Sequence, residues 1–411
     1  MLKLGLAAWL AATGVCAWEH VAPSDLETSI KSHGAVVVAC ESIVLCTQHC
    51  RVPSQALILL HGRIALTNGT RDKSKALELE WAPAVAELTA ISTLSVDCSQ
   101  AAAVCQKYDV SSYPSLKVFQ GGEPKSTYLG PRRASAITSW IHRAQRPSVS
   151  EVPSEELEAF KSGDETVFIA YVAADDQESR KLYEDVASQF RDEFTFGINA
   201  DDAARQAEGV GSPGLKCHRH LDGDVVTFKG SFDVDAMKAF VDEASRSIIS
   251  ELTAQNQQRL VARGWPMVYL FAATEAERAE FRRTLQKIGR SYYESLTMTT
   301  VDPLEFPELP ARLGLATPGN DAQVEYPCGA VHQLSKDRIY QYPRGSPVTS
   351  SALQQWGLDV WQGRIKPWNP DGAAATTTEE AGQIPGRIRA TPRVSIANFP
   401  GLNIRIGRDE L

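Results

Sequence analysis

Residues 74–122 read SKALELEWAPAVAELTAISTLSVDCSQAAAVCQKYDVSSYPSLKVFQGG. Leu77, Trp81, Val85 and Leu88 recur at helical spacing, which predicts a helix with one apolar face. Residues 93–97 carry a short strand signal, and 101–108 form a small-residue helix. After Pro114, Leu116, Val118 and Phe119 have the β-branched and aromatic content of a strand, and Gly121-Gly122 closes it into a hairpin. Pro114 stands between a helix and a buried strand and follows an aromatic, which makes it a candidate cis position. The order predicts an α/β domain, a mixed sheet flanked by helices.

Working outward, Ser24 with Glu27 three residues later predicts an N-cap and capping box for a helix carrying Leu26 and Ile30. Residues 35–40, AVVVAC, read as a fully buried central strand. Ile137, Trp140 and Ile141 mark the inner face of a closing helix, and Pro147 and Pro153 bracket a linker. The same plan then recurs twice, with a period of roughly 110 residues. In the second copy 166–172 is the buried strand and Pro213 the counterpart of Pro114. In the third, 264–272 is the strand, 275–292 a helix, and Pro327 precedes the next strand. The expected organisation is three tandem domains at 18–147, 148–250 and 251–366. A linker-like, disordered tail at 367–411 follows, rich in Ala, Thr and isolated Pro and Gly.

The series of Lys75-Ala-Leu, Trp81, Asp97-Cys98, Cys105, Tyr108, Val110, Tyr113-Pro114, Leu116-Lys117 and Phe119 resembles the thioredoxin-like domain of protein disulfide isomerases. Tyr269-Leu-Phe271, Glu277-Arg278, Tyr326-Pro327 and 361–367, WQGRIKP, resemble that family's non-catalytic, substrate-binding domain. The resemblance covers about 340 of 411 residues in the family order a, b, b′. It implies thioredoxin-like folds and thiol–disulfide exchange on folding secretory proteins, without a cofactor. Where the family carries Cys-Gly-His-Cys before Lys-Ala-Leu, this chain has Asp72-Lys73-Ser74, and no redox-active domain follows Pro367. The resemblance therefore points to a family member with impaired exchange, or to a redox-inactive chaperone or adaptor that binds unfolded clients through the b′ domain.

Composition and addressing agree with that setting. A net charge of −8 argues against a nucleic-acid or anionic-membrane surface. Residues 1–17 combine Lys3, an apolar run and Val15-Cys16-Ala17, the pattern of a cleaved secretory signal, and no later stretch is long enough to span a membrane. Arg408-Asp409-Glu410-Leu411 is one residue from the Lys-Asp-Glu-Leu address, so the expected location is the endoplasmic reticulum lumen and an expected partner is its retrieval receptor. Asn68-Gly69-Thr70 is a glycosylation sequon.

The insertion at 43–73 lacks any clear period. It reads as a surface insertion, a degraded redox loop, or translated non-coding sequence. The last fits best, since joining residue 42 near Ser74 restores an ordinary domain length. Within it Cys46-Thr-Gln-His-Cys50 is the one candidate redox pair, with three intervening residues instead of two. A metal set drawn from Cys46, His49, Cys50 and His61 matches no common zinc spacing, so no metal is expected. By resemblance, Ser74 takes the place of the resolving cysteine and is left to cap its helix. Pro114 is the cis-proline that presents a strand edge to substrate, and Arg132 is the arginine that lowers the pKa of the active cysteine. Cys98 and Cys105 are the structural disulfide of the fungal enzymes. The buried glutamate of the family's first strand is missing from 36–39, VVVA. The family's client pocket between helices corresponds to Tyr269, Phe271, Phe281, Leu285 and Ile288. Cys217 and Cys328 read as core residues.

Overall fold

The computed structural model describes residues 20–32, 35–41, 69–88, 91–316 and 324–369. The chain forms three mixed sheets flanked by helices. The first domain runs α1 (Pro23–Ser32), β1 (Ala35–Glu41), α2 (Gly69–Glu87), β2 (Ser92–Asp97), α3 (Ala102–Lys107), β3 (Ser115–Gln120), β4 (Glu123–Thr127) and α4 (Ala134–Gln145). Its sheet order is β2-β1-β3-β4, with β1 parallel to β2 and antiparallel to β3. A single parallel bridge, His20 to Ser95, adds a further edge.

Both faces of β1 are buried, as its unbroken apolar run predicts. Val37 and Ala39 pack with Leu77, Trp81 and Leu88 of α2 and Ile137, Trp140 and Ile141 of α4. Val36, Val38 and Cys40 point the other way, onto Leu26, Ile30, Val96 and Phe119. The expected Ser24 cap is not what forms. Pro23, with φ fixed and no N–H to lose, takes the first helical position, and Glu27 pairs with Lys107 at 2.7 Å. The hairpin glycines adopt left-handed backbone at Gly121 (φ 64°) and Gly122 (φ 90°).

The second domain contains β5 (Ser150–Glu151), α5 (Leu157–Lys161), β6 (Thr166–Tyr171), α6 (Gln177–Phe190), β7 (Thr195–Asn199), α7 (Asp202–Ala207), β8 (Gly214–Arg219), β9 (Asp224–Thr227) and α8 (Val234–Ala244). The third contains β10 (Ser250–Glu251), α9 (Gln257–Ala262), β11 (Met267–Phe271), α10 (Glu275–Thr284), α11 (Gln286–Ser291), β12 (Thr297–Val301), α12 (Leu309–Arg312), β13 (Cys328–Gln333), β14 (Arg338–Gln341) and α13 (Ser350–Trp361). Their orders, β5-β7-β6-β8-β9 and β10-β12-β11-β13-β14, repeat one topology.

The single helix expected over 275–292 divides at Leu285. The Thr284 hydroxyl donates back to the Glu280 carbonyl (2.8 Å), and the Thr284 carbonyl accepts from the Ser350 hydroxyl (2.9 Å). Past α13 the Trp368 amide donates to the Ile339 carbonyl of β14 at 2.7 Å. The Trp368 indole lies against Gly314, where a Cβ would come within 2.2 Å of it.

The chain divides into two compact units. Of the described residues, one unit holds those from 20 to 41, those from 69 to 220 and Val225–Lys238; the other holds Leu221–Asp224 and those from Ala239 onward. Among the described residues no helix is long and apolar enough to cross a membrane.

Candidate functional site

The paired ends of β1 and β3 position the site of the first domain. Cys40 faces Ser115 in the ladder, and Ser115 follows the cis Tyr113–Pro114 peptide. The cis bond recurs at Ser212–Pro213 and Tyr326–Pro327, ahead of β8 and β13. Cys40 is 4% exposed, and burial pushes its thiol up to about 12 against a weaker opposing pull from Lys117. At pH 7 only about one such thiol in 10⁵ is a thiolate, so Cys40 is no nucleophile.

Ser74 does not cap α2. The helix starts five residues earlier, at Gly69, so Ser74 sits in its second turn, 2% exposed, with no hydrogen-bond partner for its hydroxyl. In the strand that lacks the family glutamate, Val38 faces Lys117 across the ladder. The Lys117 ammonium donates to the Thr127 hydroxyl at 3.0 Å.

Arg132 is half-buried on the turn before α4. Its neighbour Arg133 forms the better-defined contact, a fork onto Glu165 with Nε–Oε1 3.0 Å and Nη2–Oε2 2.5 Å. Glu80 of α2 caps α4 by accepting from the Ala134 amide at 2.9 Å. Nothing local in the sequence marks either pairing, because the partners lie 32 and 54 positions apart. Cys98 and Cys105 are joined in a disulfide with their Cα atoms 5.8 Å apart, tying the end of β2 to α3. Cys46, Cys50 and Asn68 lie outside the described residues, as do the expected signal, the tail from 370 and the terminal Arg408–Leu411.

In the third domain the corresponding strand end carries charge and no thiol pair. Thr274 caps α10 in a reciprocal box: its hydroxyl accepts from the Glu277 amide (3.3 Å), and the Glu277 carboxylate accepts from the Thr274 amide (3.1 Å). Thr274-Glu-Ala-Glu277 is the sequence signal that could have found this box. Behind it Arg278, 3% exposed, reaches Glu275 and Asp302 at 3.3 Å and Glu251 at 3.7 Å, and donates to the Ala272 carbonyl at 3.1 Å. Arg282 joins the same network through Glu251 and Thr300.

The five apolar residues expected to form one client pocket do not share a face. Tyr269 and Phe271 alternate outward from β11 into one cluster with Val301, Leu313 and Tyr326. Phe281, Leu285 and Ile288 pack on the opposite side with Val268 and Leu270. Strand alternation causes the split: odd positions of β11 face away from α10 and α11. Phe271 and Leu285 are fully buried and have no surface to offer a client.

Two thioredoxin-type family models match the chain. The thioredoxin model covers residues 73–143, and the thioredoxin-like domain model covers 172–357. Protein disulfide-isomerase of Humicola insolens is 31% identical over 295 residues, 72% of this chain and 57% of the relative. That of Aspergillus oryzae is 30% identical over 310 residues, 74% of this chain and 58% of the relative. The chain is a thioredoxin-like protein related to the protein disulfide isomerases. It spans little more than half the length of these relatives. A solved structure of human ERp44 aligns over 89% of this isomerase-related chain and 92% of its own, at 17% identity and a TM-score of 0.36.

Proposed function

We propose that the chain assists the folding of disulfide-bearing secretory proteins in the endoplasmic reticulum lumen. It does so chiefly by holding unfolded clients, and it exchanges disulfides far more slowly than a Cys-x-x-Cys enzyme. The observation that carries this reading is the end of β1. The thiol described there, Cys40, is buried and protonated, and a serine sealed inside α2 stands where the resemblance puts the resolving cysteine. Exchange needs an accessible thiolate and a second thiol to resolve the mixed disulfide.

The leader-like residues 1–17, the terminal Arg408–Leu411 and the Cys98–Cys105 disulfide support an oxidising, retrieved location. Client binding is assigned to the third domain, where Phe306, Leu309, Leu334 and Ile339 are only partly covered beside the Tyr269 cluster.

The test has two arms on the purified chain. Thiol-driven reduction of a disulfide-bonded test protein is expected to stay at the free-thiol background, with no change in Cys46→Ser/Cys50→Ser. Suppression of aggregation of a reduced, unfolded client is expected to persist in that variant and to weaken in Leu309→Asp. Turnover that disappears with Cys46 and Cys50 overturns the proposal in favour of a working redox pair.

A further inference from the structure

The first compact unit contains a recess lined by three arginines. It lies where the end of α4 and the following linker meet the start of β7, and it is shallow and opens to solvent. Arg143, Arg146 and Arg191 line it, together with Ser148 and Ser150. Only Arg143 has a carboxylate, Asp164, which also accepts from Thr195 at 2.7 Å; the Arg143 Nε is buried and unpartnered. Arg191 donates to neutral groups, the Arg146 carbonyl at 2.7 Å and the Arg143 carbonyl and Ser148 hydroxyl at 3.5 Å. Among the described residues neither Arg146 nor Arg191 has an acidic partner. The excess of positive charge reaches the neighbours: burial and then Arg191 lower Lys125, and burial and then Arg146 lower His142.

We propose that this recess binds a small tetrahedral oxyanion, inorganic phosphate or sulfate, between the guanidiniums of Arg146 and Arg191 and the hydroxyls of Ser148 and Ser150. Forked guanidiniums match the spacing of oxyanion oxygens, and charge-assisted hydrogen bonds are the strong ones. The donors come from the end of the first domain, the linker and the second domain, so a bound anion ties the two sheets of this unit together.

The experiment is thermal unfolding of the full chain in sodium phosphate, titrated against sodium chloride at constant ionic strength. The transition of the first unit is expected to rise by about 2–4 °C at about five times the dissociation constant. Arg191→Gln is expected to abolish the rise and Arg146→Gln to reduce it at least by half. Should Arg191→Gln fail to fold, because its guanidinium also holds the linker carbonyl, the exposed Arg146 carries the test alone, with broadening of the phosphate phosphorus resonance as the second readout. Equal transitions in phosphate and chloride, or an undiminished rise in both variants, overturn the proposal. The test involves no thiol and no client, so its outcome is separate from that of the proposed function.

Discussion

The first and third domains use one topology and do different things at the same strand end. In the first, the described groups near the end of β1 are chemically quiet: a protonated Cys40, an unpaired Ser74 hydroxyl, and a Lys117 that faces Val38. In the third, the end of β11 is closed by Arg278 among three carboxylates and a capped helix. The thioredoxin-like frame fixes where the strand and helix ends meet. It does not fix what stands there, which is why fold and activity separate so readily in this scaffold.

The contrast predicts a large kinetic difference first. Alkylation of Cys40 in the native chain at pH 8 should be about 10³-fold slower than that of an exposed cysteine, because burial raises its pKa to about 12. Mass spectrometry of the labelled peptides checks this, and fast labelling would remove the quiet-site half of the comparison. Next comes the charged site. Arg278→Leu strips the guanidinium from Glu251, Glu275 and Asp302 and should cost about 3–5 kcal/mol in denaturant unfolding of the second unit. A loss below 1 kcal/mol would mean the network closes without it.

The second domain should respond to acid through two groups with separate pH windows. Burial, and then Lys161, depress His218 to about 4. Its ordinary value is about 6.5, so the neutral form stabilises the fold fully above that pH and the contribution is lost as pH falls toward 4. Burial opposes ionisation of Glu208, but hydrogen bonds from Lys161 and Lys216 override it and hold the carboxyl at about 2. Its contribution is lost lower, from about pH 4.5 toward 2. His218→Leu should remove about 2–3 kcal/mol of the pH dependence between 6.5 and 4, read from urea midpoints across pH. The smallest effect belongs to the quiet site: Ser74→Ala should be neutral or stabilise by up to about 1 kcal/mol, since it removes a buried hydroxyl with no partner.

Much of the frame was legible because its signals are local. The Leu77, Trp81 and Leu88 stripe, the apolar run of β1, the Gly121-Gly122 turn and the recurrence of proline before a strand all lie within a few residues of what they specify. What escaped depends on distance or on very short pairing. The two-residue strands β5 and β10 carry no period to read. The Arg133 fork, the Arg278 network and the arginine recess join side chains from separate elements. The Ser24 and Ser74 cap assignments failed for a shared reason: a serine near a helix start is a good cap only if the helix begins just after it, and both helices begin earlier. The client residues failed through strand alternation, which sends Tyr269 and Phe271 away from Phe281, Leu285 and Ile288.

The seating of Trp368 bears on self-association. β14 is the last strand of its sheet, and an uncovered edge of that kind is a template for pairing with another chain. By taking the Ile339 carbonyl and settling its indole over Gly314, Trp368 occupies part of that edge with the chain's own backbone. A side chain at Gly314 would displace the indole and uncover the strand, so the absence of a Cβ here keeps a pairing edge occupied by the chain itself.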